Sequence, residues 1–232
     1  MKISFSGLEV IEGKIKYNDC ILNELEKKFT PKKVSPYFFE FIKEDFEKGE
    51  AIAIAKERLL DMLILDMEKL ETRLGRADDA KEKSAIEKGL KHLEAESPLC
   101  EFVLPAEEAE FLRLLAPLSL KPTLVVADKA MPANDVITAV MAKAAVSFFY
   151  TAGKPEVHAW FIRKGSDIVT CAGKIHTDLA RGFIKAEIWN AADLDKAHSM
   201  PEALSKGIAK LVDRDYIIQD GDIIEIRFSV SK

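Results

Sequence analysis

Phe148-Phe149-Tyr150-Thr151-Ala152-Gly153, followed two residues later by Glu156-Val157-His158-Ala159-Trp160, is the stretch on which the fold reading turns. Aromatic and β-branched residues flank a glycine-containing turn, the pattern of one strand, a reversal and a second strand. Further strand-like runs lie at 183–189, 216–218 and 223–228, and Gly165, Gly173 and Gly221 mark turns between them. Only short helical pieces are expected in between, around 177–180 and 201–211. The region from Val146 onward therefore reads as a small α+β module of roughly eighty residues, within the usual range for a domain.

Toward the N-terminus the texture differs. Residues 2–6 alternate as a short strand would and stop at Gly7. A helix is expected over 17–29, with Asn18 or Asp19 as its cap, and Pro31 ends it. Residues 34–42 are rich in aromatic and β-branched side chains and read as one buried strand. Ile52, Ala55, Leu59, Leu63, Met67, Leu70 and Leu74 recur at three- and four-residue steps, the seam of a long coiled-coil-like helix. Residues 75–79 break it, Asp78 or Asp79 caps a second helix, and Ile86, Leu90 and Leu93 share one face. A helical hairpin over about 51–99 follows, either packed into the core or projecting as an arm toward a partner. Pro105 opens another helix with acids in its first turn; a strand at 121–127 and a helix at 135–145 complete this part.

The chain has 232 residues, 48% hydrophobic and 31% charged, with a formal charge of -5. These values fit an ordinary globular protein and argue against a generally basic surface that grips nucleic acid by counterion release. Cys20, Cys100 and Cys171 show no metal or disulfide spacing, which suits a reducing compartment. No apolar run approaches a signal peptide or a membrane span, so a cytoplasmic protein without membrane contact is expected.

Three further strings complete the C-terminal pattern: Ala172-Gly173-Lys174-Ile175-His176-Thr177-Asp178, Gly182-Phe183-Ile184-Lys185-Ala186-Glu187, and Asp215-Tyr216-Ile217-Ile218-Gln219-Asp220-Gly221-Asp222. Together with the opening stretch they resemble the C-terminal TGS domain of the YchF family, the Obg-like ATPases. The hairpin is similar to the helical coiled-coil domain that this family inserts into its P-loop domain. Leu104-Pro105-Ala106-Glu107-Glu108 and Leu118-Ser119-Leu120-Lys121-Pro122-Thr123 resemble the family's return to its nucleotide-binding sheet. The fold implied is an α/β remnant of a P-loop domain with an inserted helical hairpin (1–145), plus a C-terminal α+β, ubiquitin-like β-grasp of TGS type (146–232). The partners implied are the ribosome, RNA or a translation-linked protein. TGS modules also occur in regulatory proteins, so a small-molecule-responsive role stands as a further possibility.

A Walker A loop needs G-x-x-x-x-G-K-[ST], with backbone amides around the phosphates, Lys on the β/γ-phosphates and a hydroxyl on Mg²⁺. Here Gly7 and Gly13 are separated by five residues, Glu9 and Glu12 bring negative charge, and Ile15 stands where the hydroxyl belongs. Lys43 replaces the Asp of the D-x-x-G motif. Asp128 and Met131 replace the Asn and the acidic residue of the base-reading motif, and an ionised Asp128 has no amide donor for a purine. The expectation is a binding or adaptor protein with no catalytic residues, no metal and no cofactor. The alternative is ATP or GTP held weakly by Gly7, Gly13 and Lys14. Whether residues 7–14 form a loop, or turn back as a hairpin, stays open.

For an RNA or partner surface the candidates are Arg163, Lys164, Lys174, Arg181 and Lys185, with Trp160, Phe161 and Trp189 near in sequence for stacking. Against them, residues 151–232 carry twelve Lys/Arg and twelve Asp/Glu, so the module is neutral. His176 is expected to cap or turn rather than to catalyse.

Overall fold

The computed structural model describes residues 1–229. In chain order its strands are β1 (Lys2–Ser6), β2 (Gly13–Lys16), β3 (Lys33–Ser35), β4 (Phe38–Lys43), β5 (Ala51–Ala55), β6 (Thr123–Val126), β7 (Val146–Ala152), β8 (Glu156–Arg163), β9 (Phe183–Asn190), β10 (Lys210–Val212) and β11 (Asp222–Phe228). Its helices are α1 (Cys20–Phe29), α2 (Leu59–Leu74), α3 (Ala80–Glu94), α4 (Ala106–Leu115), α5 (Ala133–Lys143), α6 (Ile168–Ile175), α7 (Thr177–Arg181) and α8 (Met200–Ser205). They divide into two compact units, residues 1–15 with 38–144, and residues 16–37 with those from 145 on. Residues 16–37, expected in the N-terminal domain, thus belong to the second unit.

The first unit is built on a five-stranded sheet in the order β2-β4-β1-β5-β6. β1 runs parallel to β4 and β5, and β5 parallel to β6. The Ala-Ile-Ala-Ile-Ala of β5 is buried at every position, as expected of a parallel strand covered on both faces. This corrects the long-helix expectation. Ile52 and Ala55 fall at helical spacing from Leu59 only because strand and helix abut, and α2 begins at Leu59. Asp79 caps α3 by accepting from the amides of Lys81 and Glu82. The hairpin seam closes on the sheet and its neighbours: Leu59, Leu63, Leu70, Ile86 and Leu93 share one core with Ile52, Ile54, Leu99, Leu112 and Leu118. Gly89 lets three helices converge, since a Cβ there would meet Leu70 Cδ2 at 3.1 Å and the Leu112 methyls at 3.4 Å.

Inside that core sits a fully buried carboxylate, Asp66 of α2. It accepts from the amides of Leu118 (2.6 Å) and Ser119 (2.7 Å), and the Ser119 hydroxyl accepts from the Leu99 amide (3.2 Å). A side chain in mid-helix therefore caps a 3₁₀ turn fifty residues away (Leu118–Leu120) and ties α2 to both segments that flank α4.

Residues 44–50 link β4 to β5 without a helix. They pass across β1: Glu44 donates to Phe5 O (2.9 Å), Ser4 Oγ to Asp45 O, and Glu50 exchanges bonds with Lys2. Gly49 is required here, because a Cβ would lie 2.8 Å from both Ser4 N and Ala51 O.

The second unit has a six-stranded mixed sheet, β10-β9-β11-β7-β8-β3. β7 and β8 form the antiparallel hairpin of the opening stretch, and β3 adds to β8 in parallel. The expected single strand over 34–42 is two strands in two sheets, parted at Pro36, which has no amide for a ladder. Helix α6 was not foreseen, although Asp167 caps it and Ile168, Cys171, Ala172 and Ile175 form a helical stripe. Residues 216–218 make only an isolated bridge, Asp167 to Ile217, and the expected helix over 201–211 is α8 followed by β10. α6 packs on the face that carries Phe149, Ile162, Ile188 and Ile224.

Alternation along β7 and β8 puts Phe148, Tyr150 and Phe161 on the opposite face, and the 16–37 excursion covers it. Tyr17 stacks on Phe148 (5.7 Å), Tyr37 on Phe161 (4.8 Å), and Phe29 meets Trp189 edge-on (6.4 Å). Asp19, the cap of α1, also accepts from Tyr150 Oη at 2.7 Å. Burial raises the Asp19 carboxyl above its usual range against the pull of these hydrogen bonds, and burial likewise pushes the Tyr150 phenol up.

Replacing Asp66 by Ala leaves two buried amides without an acceptor and should cost about 3 kcal/mol, with Asp66→Asn intermediate, in urea unfolding followed by helical CD. An unchanged midpoint would mean that the turn does not depend on this carboxylate. A fragment of residues 145–232 should be unfolded or molten by near-UV CD, and regain its signal when residues 16–37 are supplied as a peptide.

Candidate nucleotide edge and basic surface

In open α/β sheets ligands bind outside the carboxyl ends of the strands. At that edge of the first unit, β1 ends at Ser6, β4 at Lys43, β5 at Ala55 and β6 at Val126. A phosphate loop there needs the chain to leave β1 and enter a helix, whose first amides and dipole hold the anion. Here the chain leaves β1 through Gly7 (φ +72°) and enters a strand, β2, at Gly13. β2 lies beside β4 at the edge of the sheet, so Lys14 is an exposed strand residue. Gly7, Gly13 and Lys14 thus bracket a loop, but no helix follows it within this unit's sheet. Of the alternatives open in the sequence, the chain forms a strand on the far side of β4.

Local contacts hold this loop. Glu9 N donates to Lys129 O at 2.9 Å, which ties it to the segment after β6 where the base-reading motif would stand. Glu12 accepts from the Lys43 amide at 3.2 Å, and Glu44 from Ser6 Oγ at 3.0 Å. Lys129 Nζ pairs with Glu57, and the Asp128 carboxylate accepts from the Ala130 amide at 3.0 Å, within its own turn. A Cβ on Gly7 would sit 2.8 Å from Ala55 Cβ and Arg58 Cγ. Acidic groups at this edge, Glu9, Glu12, Glu44, Glu57 and Asp128, stand among Lys43, Lys56, Arg58 and Lys129. Glu57 and Arg58 escape the sequence reading because no motif marks them, whereas Lys129 stands in the Asp128-Lys129-Ala130-Met131 string of the base-reading position.

The five basic candidates do not converge. Arg163 ends β8 and Lys164 pairs with Asp220 (2.8 Å) in the following turn. Lys174 lies in the last turn of α6, Arg181 pairs with Asp178 within α7 (2.8 Å), and Lys185 on β9 pairs with Asp213 (3.1 Å). The strings that carry the resemblance hold structure together: His176 Nδ1 accepts from the Asp178 amide and caps α7, while buried Asp222 accepts from Tyr216 Oη (2.9 Å), Gln219 N and Asn190 Nδ2. The Cys171 thiol is buried in α6, where desolvation pushes it up to about 12, so it is a packing residue rather than a nucleophile. Among the described residues no group of three or more His, Cys, Asp or Glu is placed to hold a metal ion, and no helix is long and apolar enough to cross a membrane.

The model for the C-terminal domain of YchF GTPases, described as "Protein of unknown function (DUF933)", matches residues 146–229. The "Ribosome-binding ATPase YchF" of Mycoplasma genitalium is 39% identical over 98 residues, 42% of this chain and 27% of that protein. "Obg-like ATPase 1" of Gallus gallus is 42% identical over 94 residues, 40% of this chain and 24% of that protein. These matches span about a quarter of the relatives' length. A solved YchF GTPase from Schizosaccharomyces pombe has the same fold, with a TM-score of 0.77 at 16% identity over 98% of this chain and 97% of that one.

Gly7→Ala should lower stability by about 2 kcal/mol in thermal melts, because the residue has positive φ and no room for a Cβ. No loss would mean that the loop re-forms without Gly7 in this conformation.

Proposed function

We propose that this chain, which belongs to the YchF family, is a ribosome-directed binding protein that does not turn over nucleotide. The ribosome part is supported by the name of its relatives in Mycoplasma genitalium and Bacillus subtilis, "Ribosome-binding ATPase YchF". In this reading the second unit is a TGS-type β-grasp, and the α2–α3 hairpin is a shortened form of the family's helical insertion. The absence of turnover is supported by one observation above the others: the loop after β1 runs into strand β2 instead of a helix. Phosphoryl transfer is catalysed by positioning and electrostatics. Here Ile15 replaces the metal-holding hydroxyl, Lys43 replaces the metal-holding Asp, and Glu9 and Glu12 stand on the loop.

A second reading keeps nucleotide binding, with amides around Gly7 and Gly13 and the Lys14 ammonium meeting phosphates. The comparisons favour it, because the relatives are named ATPases and the solved structure is of a GTPase. The sequence match to the family lies at 146–229, outside these residues.

Titration calorimetry with ATP and GTP, with and without Mg²⁺, separates the two. The first reading expects no heat in the micromolar range and no phosphate release. Binding that is lost in Lys14→Ala would establish the second. Co-sedimentation with ribosomes tests the partner: association is expected, and its absence at both low and moderate salt would remove the ribosome from either reading.

A further inference from the structure

The excursion that covers one face of the second unit also brings a basic cluster to the β3–β8 edge. Of the four lysines in Lys27-Lys28-Phe29-Thr30-Pro31-Lys32-Lys33, Lys28 turns to the Leu194 carbonyl and the Trp189 ring, whereas Lys32 and Lys33 reach this edge. Lys32 N donates to Lys154 O at 3.0 Å, which sets Lys32 and Lys33 beside the β7–β8 turn and its own exposed Lys154. The registers Lys33 to Glu156 and Ser35 to His158 then align β3 with β8. Lys33, Ser35, Glu156, His158 and Trp160 consequently share one sheet face.

That face carries a stack of rings. Phe149 and Trp160 lie parallel (6.2 Å, 10°), and His158 lies on Trp160 at 3.8 Å and 10°. Trp160 Nε1 is fixed to Thr151 Oγ1 at 3.0 Å. His158, its side chain 28% exposed, ends this stack beyond Trp160. Glu156 is an acid beside it, and it is engaged by Ser35 Oγ, by Lys33 Nζ (2.9 Å) and by His158 Nδ1 (3.3 Å). The Ser35 hydroxyl and then Lys33 hold its carboxyl below the usual range.

A rigid aromatic end flanked by exposed cations is the chemistry that takes single-stranded nucleic acid: bases stack on the ring and ammonium groups follow the phosphates. We propose that His158, on its Trp160–Phe149 stack, receives an unpaired RNA base while Lys32, Lys33 and Lys154 contact the adjoining phosphates. The site rests on the ribosome-directed reading and supplies an RNA contact for it. It lies apart from the five basic residues that the sequence singled out, because two of its lysines come from a segment more than a hundred residues earlier in the chain.

The test is fluorescence anisotropy of the full chain with labelled 12-mers of oligo-U and oligo-A at several salt concentrations. The wild-type chain should bind both. His158→Ala should weaken binding about tenfold and His158→Phe should restore it, since stacking tolerates any flat ring. Lys32→Ala with Lys154→Ala should flatten the slope of log Kd against log salt by about 1.4, roughly 0.7 for each lost phosphate contact. Near-UV CD establishes that each variant is folded. No oligonucleotide binding by the wild type, or binding unchanged in folded His158→Ala and in the double variant, overturns the site. Ribosome co-sedimentation of the same variants keeps the two ideas distinct: if oligonucleotide binding falls as expected and ribosome association persists, the site stands and the ribosome is held elsewhere.

Discussion

The close passage of residues 44–50 over β1 is the constraint on which the first unit depends. β4 and β5 flank β1 and run parallel to it, so the chain must travel from the end of one to the start of the other. Parallel neighbours are ordinarily joined by a helix of a dozen residues or more. This chain does it with seven, and only because Gly49 presents no Cβ to Ser4 and Ala51. The saving removes a helix that would normally cover the sheet. It also fixes Ser4, Glu44 and Ser6 in contacts that serve the crossover rather than a ligand.

The same economy explains the nucleotide edge. In a P-loop domain the residues after β1 form a helix that packs on the sheet and offers its amides to phosphate. Here those residues add a strand beyond β4, and the next helix, α1, packs in the other unit. Glu12 and Glu44 are tolerated because their carboxylates find a backbone and a hydroxyl donor nearby, and Glu9 is held through its own amide. The hairpin is likewise held from within, by Asp66 reaching Leu118 and Ser119 across the core.

Much of the architecture was legible in the residues. The short strand before Gly7, the caps at Asp19 and Asp79, the helix opened by Pro105 and the β7–β8 hairpin all follow local rules that tertiary context does not override. β5 was misread because Ala-Ile-Ala-Ile-Ala satisfies a helical step as well as a buried strand, and only its neighbours β1 and β6 decide between them. The stripe Ile168, Cys171, Ala172 and Ile175 behind Asp167 did carry a helix signal, masked by Gly173. The candidate site was less legible. Gly7, Gly13 and Lys14 could be named from spacing, but whether a strand or a helix follows them is set by pairing with β4. The Lys32–Lys154 neighbourhood leaves no local trace, since it exists only through a parallel pairing between distant segments.

The assignment of 16–37 to the second unit has a consequence for how the chain is made. This segment leaves the ribosome early, yet β7, β8 and β9, on which its rings and Asp19 rest, are synthesised much later. Roughly 110 residues separate the segment from the start of β7 and about 150 from the end of β9, so at ordinary rates of elongation α1 waits about 5–30 s for them, with Leu22, Leu25 and Phe29 uncovered. The first unit can close in the meantime only by holding that segment out as a loop between β2 and β4. The early segment 16–37 therefore finds its packing partners only after most of the first unit has been made.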